Sequence, residues 1–301
     1  MKLASLGLPG LTSTLSSEGI VLCTGRFRYR IRSSAATIAP ALAIAYADFE
    51  LGSSSDWFDF DIRIEPSAGP RALLKPEVGL AVDGASPFEP LPADQAFALL
   101  EWGMNWCVTS TAHDAVNCHS AVLERHGNAL LLPAPPGSGK STLTAALAMT
   151  GWRLMSDEIS RIDLDGASVE CICRPVSLKN ASIGLIGERF PEAVFTPPIR
   201  DTVKGTVAHL RPPGDAVRDT RGATPAWVVI PQFAAGAPVE MTPITDAELV
   251  AELAGNCFNL SGVGEPAFRA LCHLADRAKG YRLRFGSLDD ALLAINRLSE
   301  Q

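Results

Sequence analysis

The stretch that most constrains the fold runs from Ala129 to Gly151. It joins a continuous aliphatic run (Ala129-Leu130-Leu131-Leu132), a glycine-rich turn and an alanine-rich segment, Ser141–Met149. Four apolar residues without alternation fit a central strand covered on both faces. Gly137 and Gly139 open backbone conformations closed to other residues, and Gly151 is a natural left-handed helix stop. A buried strand that turns at once into a helix commits this part of the chain to an α/β or α+β fold.

The turn reads Ala134-Pro135-Pro136-Gly137-Ser138-Gly139-Lys140-Ser141-Thr142, a phosphate-loop pattern with alanine in the usual first glycine position. In that setting Pro136, Gly137, Ser138, Gly139, Lys140, Ser141 and Thr142 are the expected cradle of a nucleoside triphosphate. The glycines turn N–H groups toward phosphate oxygens, and the helix start adds free donors and a favourable dipole. Lys140 supplies a point charge for the β- and γ-phosphates, Ser141 a hydroxyl for Mg²⁺, and Thr142 a cap or phosphate contact.

Asp157 follows 17 residues past Lys140, with Glu158 next to it, which leaves room for one helix, a turn at Gly151 and a short adjacent strand, Trp152–Met155. Ligands of α/β sheets gather at the carboxyl ends of strands, so the pair is expected beside the loop. One carboxylate would orient or deprotonate an acceptor hydroxyl, and the other, with Ser141, would support the metal. An exposed Asp-Glu turn is the alternative.

His119, the loop ending in Lys140-Ser141, and Asp157-Glu158 together resemble the catalytic domain of HPr kinase/phosphorylase, a family related to phosphoenolpyruvate carboxykinase. The Pro-Pro-Gly-Ser-Gly-Lys-Ser-Thr loop followed by Gly-Trp-Arg-Leu-Met-Ser-Asp-Glu is most similar to the HPr kinase-related kinase A group. The resemblance covers Cys118–Ile162 well and the rest loosely. It implies a P-loop kinase using ATP and Mg²⁺, with Asp157 as catalytic base, Glu158 in place of a second aspartate, and His119 near the phosphates. It also implies transfer of the γ-phosphoryl group to a hydroxyl, a serine of a peptide or small protein, and it admits a homo-oligomer. The family's later glycine-rich signature has no clean counterpart; the nearest stretch, Pro175–Gly184, offers Lys179 and Asn180. That absence weighs against phosphorolysis and against HPr itself as the acceptor. Lys204 and Arg211 are further candidate phosphate contacts in a Gly/Pro-rich region. A small-molecule hydroxyl as acceptor, and a nucleotide-hydrolysing switch, are the competing readings.

The remainder divides near residue 112. Residues 1–112 read as a smaller strand-rich domain of unassigned role: Arg26–Arg32 and Trp57–Ile64 alternate polar and apolar side chains, and Ile38–Phe49 suits a short helix. Pro66, Pro70, Pro76, Pro87, Pro90 and Pro92 then mark a loop-rich section, and Ala93–Thr111 reads as a connecting helix. Residues 113–301 read as the catalytic domain, with strands at Asn117–Glu124, Asn128–Pro133, Ser168–Cys173, Trp227–Ile230 and Tyr281–Phe285. Helices are expected there at Asp246–Leu253, Pro266–Ala278 and Leu288–Leu298. At 47% hydrophobic and 20% charged the composition is that of a globular chain. A net charge of −7 gives no overall attraction to nucleic acid or anionic lipid. No run approaches the ~20 apolar residues that span a bilayer, so the chain reads as cytoplasmic. The seven scattered cysteines lack metal-site spacing and read as reduced thiols, with Cys171 and Cys173 alternating on one strand.

Overall fold

A computed structural model describes residues 1–53, 55–67, 75–135 and 137–300. Pro70 and Pro136 lie outside the described residues. The chain is mixed α/β with ten α-helices among the described residues. The strands are β1 (Ile20–Thr24), β2 (Phe27–Ser33), β3 (Leu51–Gly52), β4 (Phe60–Pro66), β5 (Glu77–Val82), β6 (Leu91–Pro92), β7 (Val116–Arg125), β8 (Asn128–Pro133) and β9 (Arg153–Ser156). They continue as β10 (Ile159–Ile162), β11 (Val169–Glu170), β12 (Val176–Lys179), β13 (Ile199–Thr202), β14 (Gly205–Leu210), β15 (Thr224–Phe233), β16 (Glu240–Pro243) and β17 (Lys279–Phe285).

Two compact units result. The first comprises Met1–Val108 with Ser177–Arg218, and the second Thr109–Val176 with Asp219–Gln301. The division falls inside the helix Ala96–Thr111, and Ser177–Arg218 belongs to the first unit.

The first unit holds a six-stranded sheet in the order β3-β1-β2-β4-β5-β6. Along β2 the period-2 pattern is realised: Phe27, Tyr29 and Ile31 are buried, while the arginines between them are partly exposed. Arg30 then reaches Asp61 on the parallel neighbour β4, with Nη2 2.7 Å from Oδ2. The returning segment contributes a small sheet ordered β12-β14-β13.

The second unit is built on a sheet ordered β11-β10-β7-β8-β15-β17-β16, with β9 also paired to β7. The aliphatic run of β8 is fully buried, and both edges of the strand are paired, by β7 antiparallel and by β15 parallel. The helix Lys140–Met149 packs on β7 and on the C-terminal helix Leu288–Leu298. Ser287 caps that last helix through the Asp290 N–H, and Asp289 and Asp290 suit its positive end. Just past the C-terminal end of the helix Lys140–Met149, the buried Trp152 donates from Nε1 to Asn296 Oδ1 at 2.8 Å and sets its ring edge-on to Trp227. The expected strand Ser168–Cys173 is shorter: only Val169–Glu170 pairs, and Cys171 and Cys173 follow it as buried free thiols. Among the described residues no helix is long and apolar enough to cross a membrane.

Candidate functional site

Strand β7 organises the site. On one edge it pairs with β8, Ser120 lying opposite Pro133, the residue before the loop. On the other edge it pairs first with β9, Val122 opposite Ser156, and then with β10, His119 opposite Ile159. β9 and β10 therefore lie along the same edge of β7 with a break at Asp157-Glu158, and the break faces Ser120-Ala121. The strand before the acidic pair lies beside β7, not beside the loop strand as its length had implied. Both edges of β8 are already occupied, so β7 offers the remaining edge.

Lys140 closes the gap that this arrangement leaves. Its side chain is 7% exposed, and Nζ lies 3.2 Å from His119 Nε2 and 3.9 Å from Glu158 Oε2. A lysine ammonium only donates, so Nε2 accepts and the imidazole proton sits on Nδ1. From there it is directed to the Glu158 carbonyl oxygen at 3.2 Å, with the Glu158 carboxylate 3.5 Å away. The buried Asp157 occupies the same strand break. His119 is further held by Phe258, whose ring stands edge-on at 5.9 Å. That contact exists because Asn256–Phe258 runs antiparallel to Asn117–His119, tied by the His119 N–H to Asn256 O and the Phe258 N–H to Asn117 O. The Cys118 thiol in this ladder meets Cys257, and that hydrogen bond together with burial pushes its pKa well above the usual thiol range. It carries no thiolate chemistry.

The loop has the backbone its sequence requires. Gly137 and Gly139 have φ of +88° and +89°, whereas Ala134 is not among the residues at positive φ, so alanine is accommodated there. A Cβ on Gly139 would stand 3.1 Å from both Phe233 Cβ and Phe285 Cζ, while one on Gly137 would meet nothing within 4 Å. The Phe233 N–H donates to Ser138 O at 3.0 Å, which ties the loop to the end of β15. Ser138 Oγ is buried without a hydrogen-bond partner among the described residues. Ser141 and Thr142 are partly exposed in the first helical turn. Open space beside Gly137, an unsatisfied hydroxyl and a lysine at a helix start can together receive an anion.

Unit 2 thus gathers His119, the loop, Lys140, Asp157 and Glu158. Lys179, Lys204 and Arg211 belong to unit 1. There the Lys204 ammonium lies 5.2 Å over the Trp102 ring, and Arg211 pairs with Asp48, its Nε 3.0 Å from Oδ2. Asn180, considered with Lys179, is engaged with Thr206 in the same unit. Phe233, Phe285 and Phe258 adjoin the site without having been singled out in the sequence. Phe233 belongs to β15, whose aliphatic run Val228-Val229-Ile230 ends at Pro231 although the strand continues through Gln232 to Phe233. Pairing with β8 stops at Val228, so Pro231 has a ladder partner only on the β17 edge, a setting that tolerates proline.

No protein-family model and no curated protein matches the chain. Among solved structures, an HPr(Ser) kinase/phosphatase from Coxiella burnetii is similar over 61% of this chain and 97% of that chain, at 13% sequence identity and a TM-score of 0.29. A likeness of that size carries no argument about this chain, whose candidate site stands on its own residues.

Proposed function

We propose that the second unit is an HPr kinase-like phosphotransferase domain that uses ATP and Mg²⁺ to phosphorylate a hydroxyl, namely a serine of a peptide or small protein. The observation that carries this reading is the convergence of the loop lysine with His119 and Glu158 at the strand break holding Asp157. A strand break that carries Asp157 and sets Glu158 3.9 Å from a phosphate-loop lysine suits transfer to an acceptor.

In this reading the loop N–H groups, the Ser138 hydroxyl and Lys140 receive the β- and γ-phosphates. Lys140 is balanced by Glu158 in the meantime, which limits the cost of burying its charge. Ser141 with the carboxylates of Asp157 and Glu158 would hold Mg²⁺, since hard oxygen donors suit that ion. Such an ion relies on one or two carboxylates, phosphate oxygens and water. When bound, it neutralises charge on the phosphates. Asp157 takes the proton of the acceptor hydroxyl as its oxygen attacks the γ-phosphorus in line, and the bond to the β-phosphate oxygen breaks. His119 keeps Lys140 and Glu158 oriented.

The test uses γ-labelled ATP with candidate acceptor peptides and three proteins. Wild type should place label on a serine. Asp157→Asn should keep ATP binding and lose transfer by about 10²–10⁴-fold, the usual share of a general base. Lys140→Ala should weaken binding itself. Transfer at the wild-type rate by Asp157→Asn would overturn the base assignment, and label released only as free phosphate, independent of acceptor, would favour a nucleotide-hydrolysing switch.

A further inference from the structure

We propose that Phe233 is the platform on which the purine base of the nucleoside triphosphate stacks; this rests on the loop being a triphosphate cradle. The site has a polarity. His119 and the Asp157-Glu158 break lie on the β7 side of β8. A triphosphate whose terminal phosphate meets those groups directs its nucleoside to the opposite side, where β15 runs parallel to β8 and ends near the loop. Phe233 is the last residue of β15. The acid pair sits two strands from β8 and Phe233 one strand away on the other side. Three strand spacings make about 14 Å, a span suited to an extended nucleoside triphosphate.

The local geometry agrees. Phe233 is fastened to the loop by its N–H to Ser138 O, and its Cβ lies 3.1 Å from the Cβ position of Gly139. Phe285, only 3% exposed, stands behind it with ring centroids 5.8 Å apart and planes inclined at 65°. Phe233 nevertheless leaves 51% of its surface to solvent. A ring held from behind and open in front is the arrangement that base stacking uses, and such stacking is worth roughly 5- to 150-fold in affinity per base.

The experiment is calorimetric titration of the full-length chain with Mg·ATP and, separately, with magnesium tripolyphosphate, which lacks a nucleoside. Phe233→Ala should weaken ATP about tenfold and leave tripolyphosphate unchanged; Phe233→Tyr, which keeps the ring, should bind ATP like wild type. ATP binding unchanged in Phe233→Ala overturns the platform while the phosphate cradle stands. Equal weakening of both ligands assigns Phe233 to loop support and also overturns it. If wild type binds neither ligand, the cradle itself fails and the platform with it.

Discussion

Gly137 and Gly139 have nearly the same left-handed φ but different surroundings, so alanine at each separates backbone strain from crowding. Placing a Cβ in the left-handed region costs about 1–2 kcal/mol, and this applies to both. At Gly137 nothing else is added, because among the described residues no atom beyond its chain neighbours lies within 4 Å of the new methyl. At Gly139 the methyl meets Phe233 Cβ and Phe285 Cζ at 3.1 Å, and neither can yield easily: one is fixed to its backbone and the other belongs to a buried ring. Overpacking of that kind costs about 1–3 kcal/mol. Gly137→Ala should therefore lose about 1–2 kcal/mol and Gly139→Ala about 2–5 kcal/mol. In a Phe285→Leu background, which removes the Cζ contact, the extra cost of Gly139→Ala should shrink. Urea unfolding followed by hydrogen exchange of peptides from β8 and β15 reads the second unit separately from the first. Equal losses for the two glycine variants, within about 0.5 kcal/mol, would refute the crowding argument.

Arg161 on β10 is fully buried and donates to Glu170 at 2.9 Å, Asp114 at 2.9 Å and Asn117 at 3.2 Å. Arg161→Met should destabilise the second unit toward the lower end of the ~3–5 kcal/mol of a broken buried pair, because Asp114 is 52% exposed and can rehydrate; urea midpoints test this. Asp219 is held well below the usual carboxylate range, chiefly by its hydrogen bond from the Arg221 guanidinium. A depressed folded pKa adds stability above the unfolded value of about 3.9 and loses it as pH falls below that value. Melting curves of wild type and Asp219→Asn should thus differ at neutral pH and converge under acid; a gap that persists at the acid end would contradict the assignment.

The parts of this molecule legible in the sequence are those fixed by neighbours along the chain. The unalternating run of β8, the alternation of β2 and the helix Leu288–Leu298 with its acidic first turn each encode their own burial. Partner choice is a different matter. β9 follows the helix Lys140–Met149 as its length implies, yet whether it lies beside β8 or beyond β7 depends on β15 arriving some seventy residues later to occupy the other edge of β8. Likewise Lys179, Lys204 and Arg211 share a region of sequence with many cations, but their unit is decided by β12 and β14 pairing with each other. The expected strand Trp227–Ile230 stops short of Phe233, whereas β15 runs on to it because the edge of Pro231 away from β17 carries no ladder. Cys171 and Cys173 alternate as strand residues do, although the ladder at Val169–Glu170 ends before them.

The site's coherence rests on register along β7. Side chains alternate across a strand, and a slip of one residue turns every side chain to the other face. His119 meets Lys140, Glu158 and Phe258 because three ladders agree: Ser120 with Pro133, Ile159 with His119, and Cys118 with Cys257. The first ladder positions the loop and Lys140, the second positions the Asp157-Glu158 break, and the third brings Phe258 to the imidazole. A slip in any one would displace a single partner while leaving the other two in place. The length of β7, ten residues against six for β8 and four each for β9 and β10, is what allows one strand to hold all three registers. Lys140 thereby gains an imidazole acceptor and a carboxylate together, and the two contacts fix a long flexible side chain.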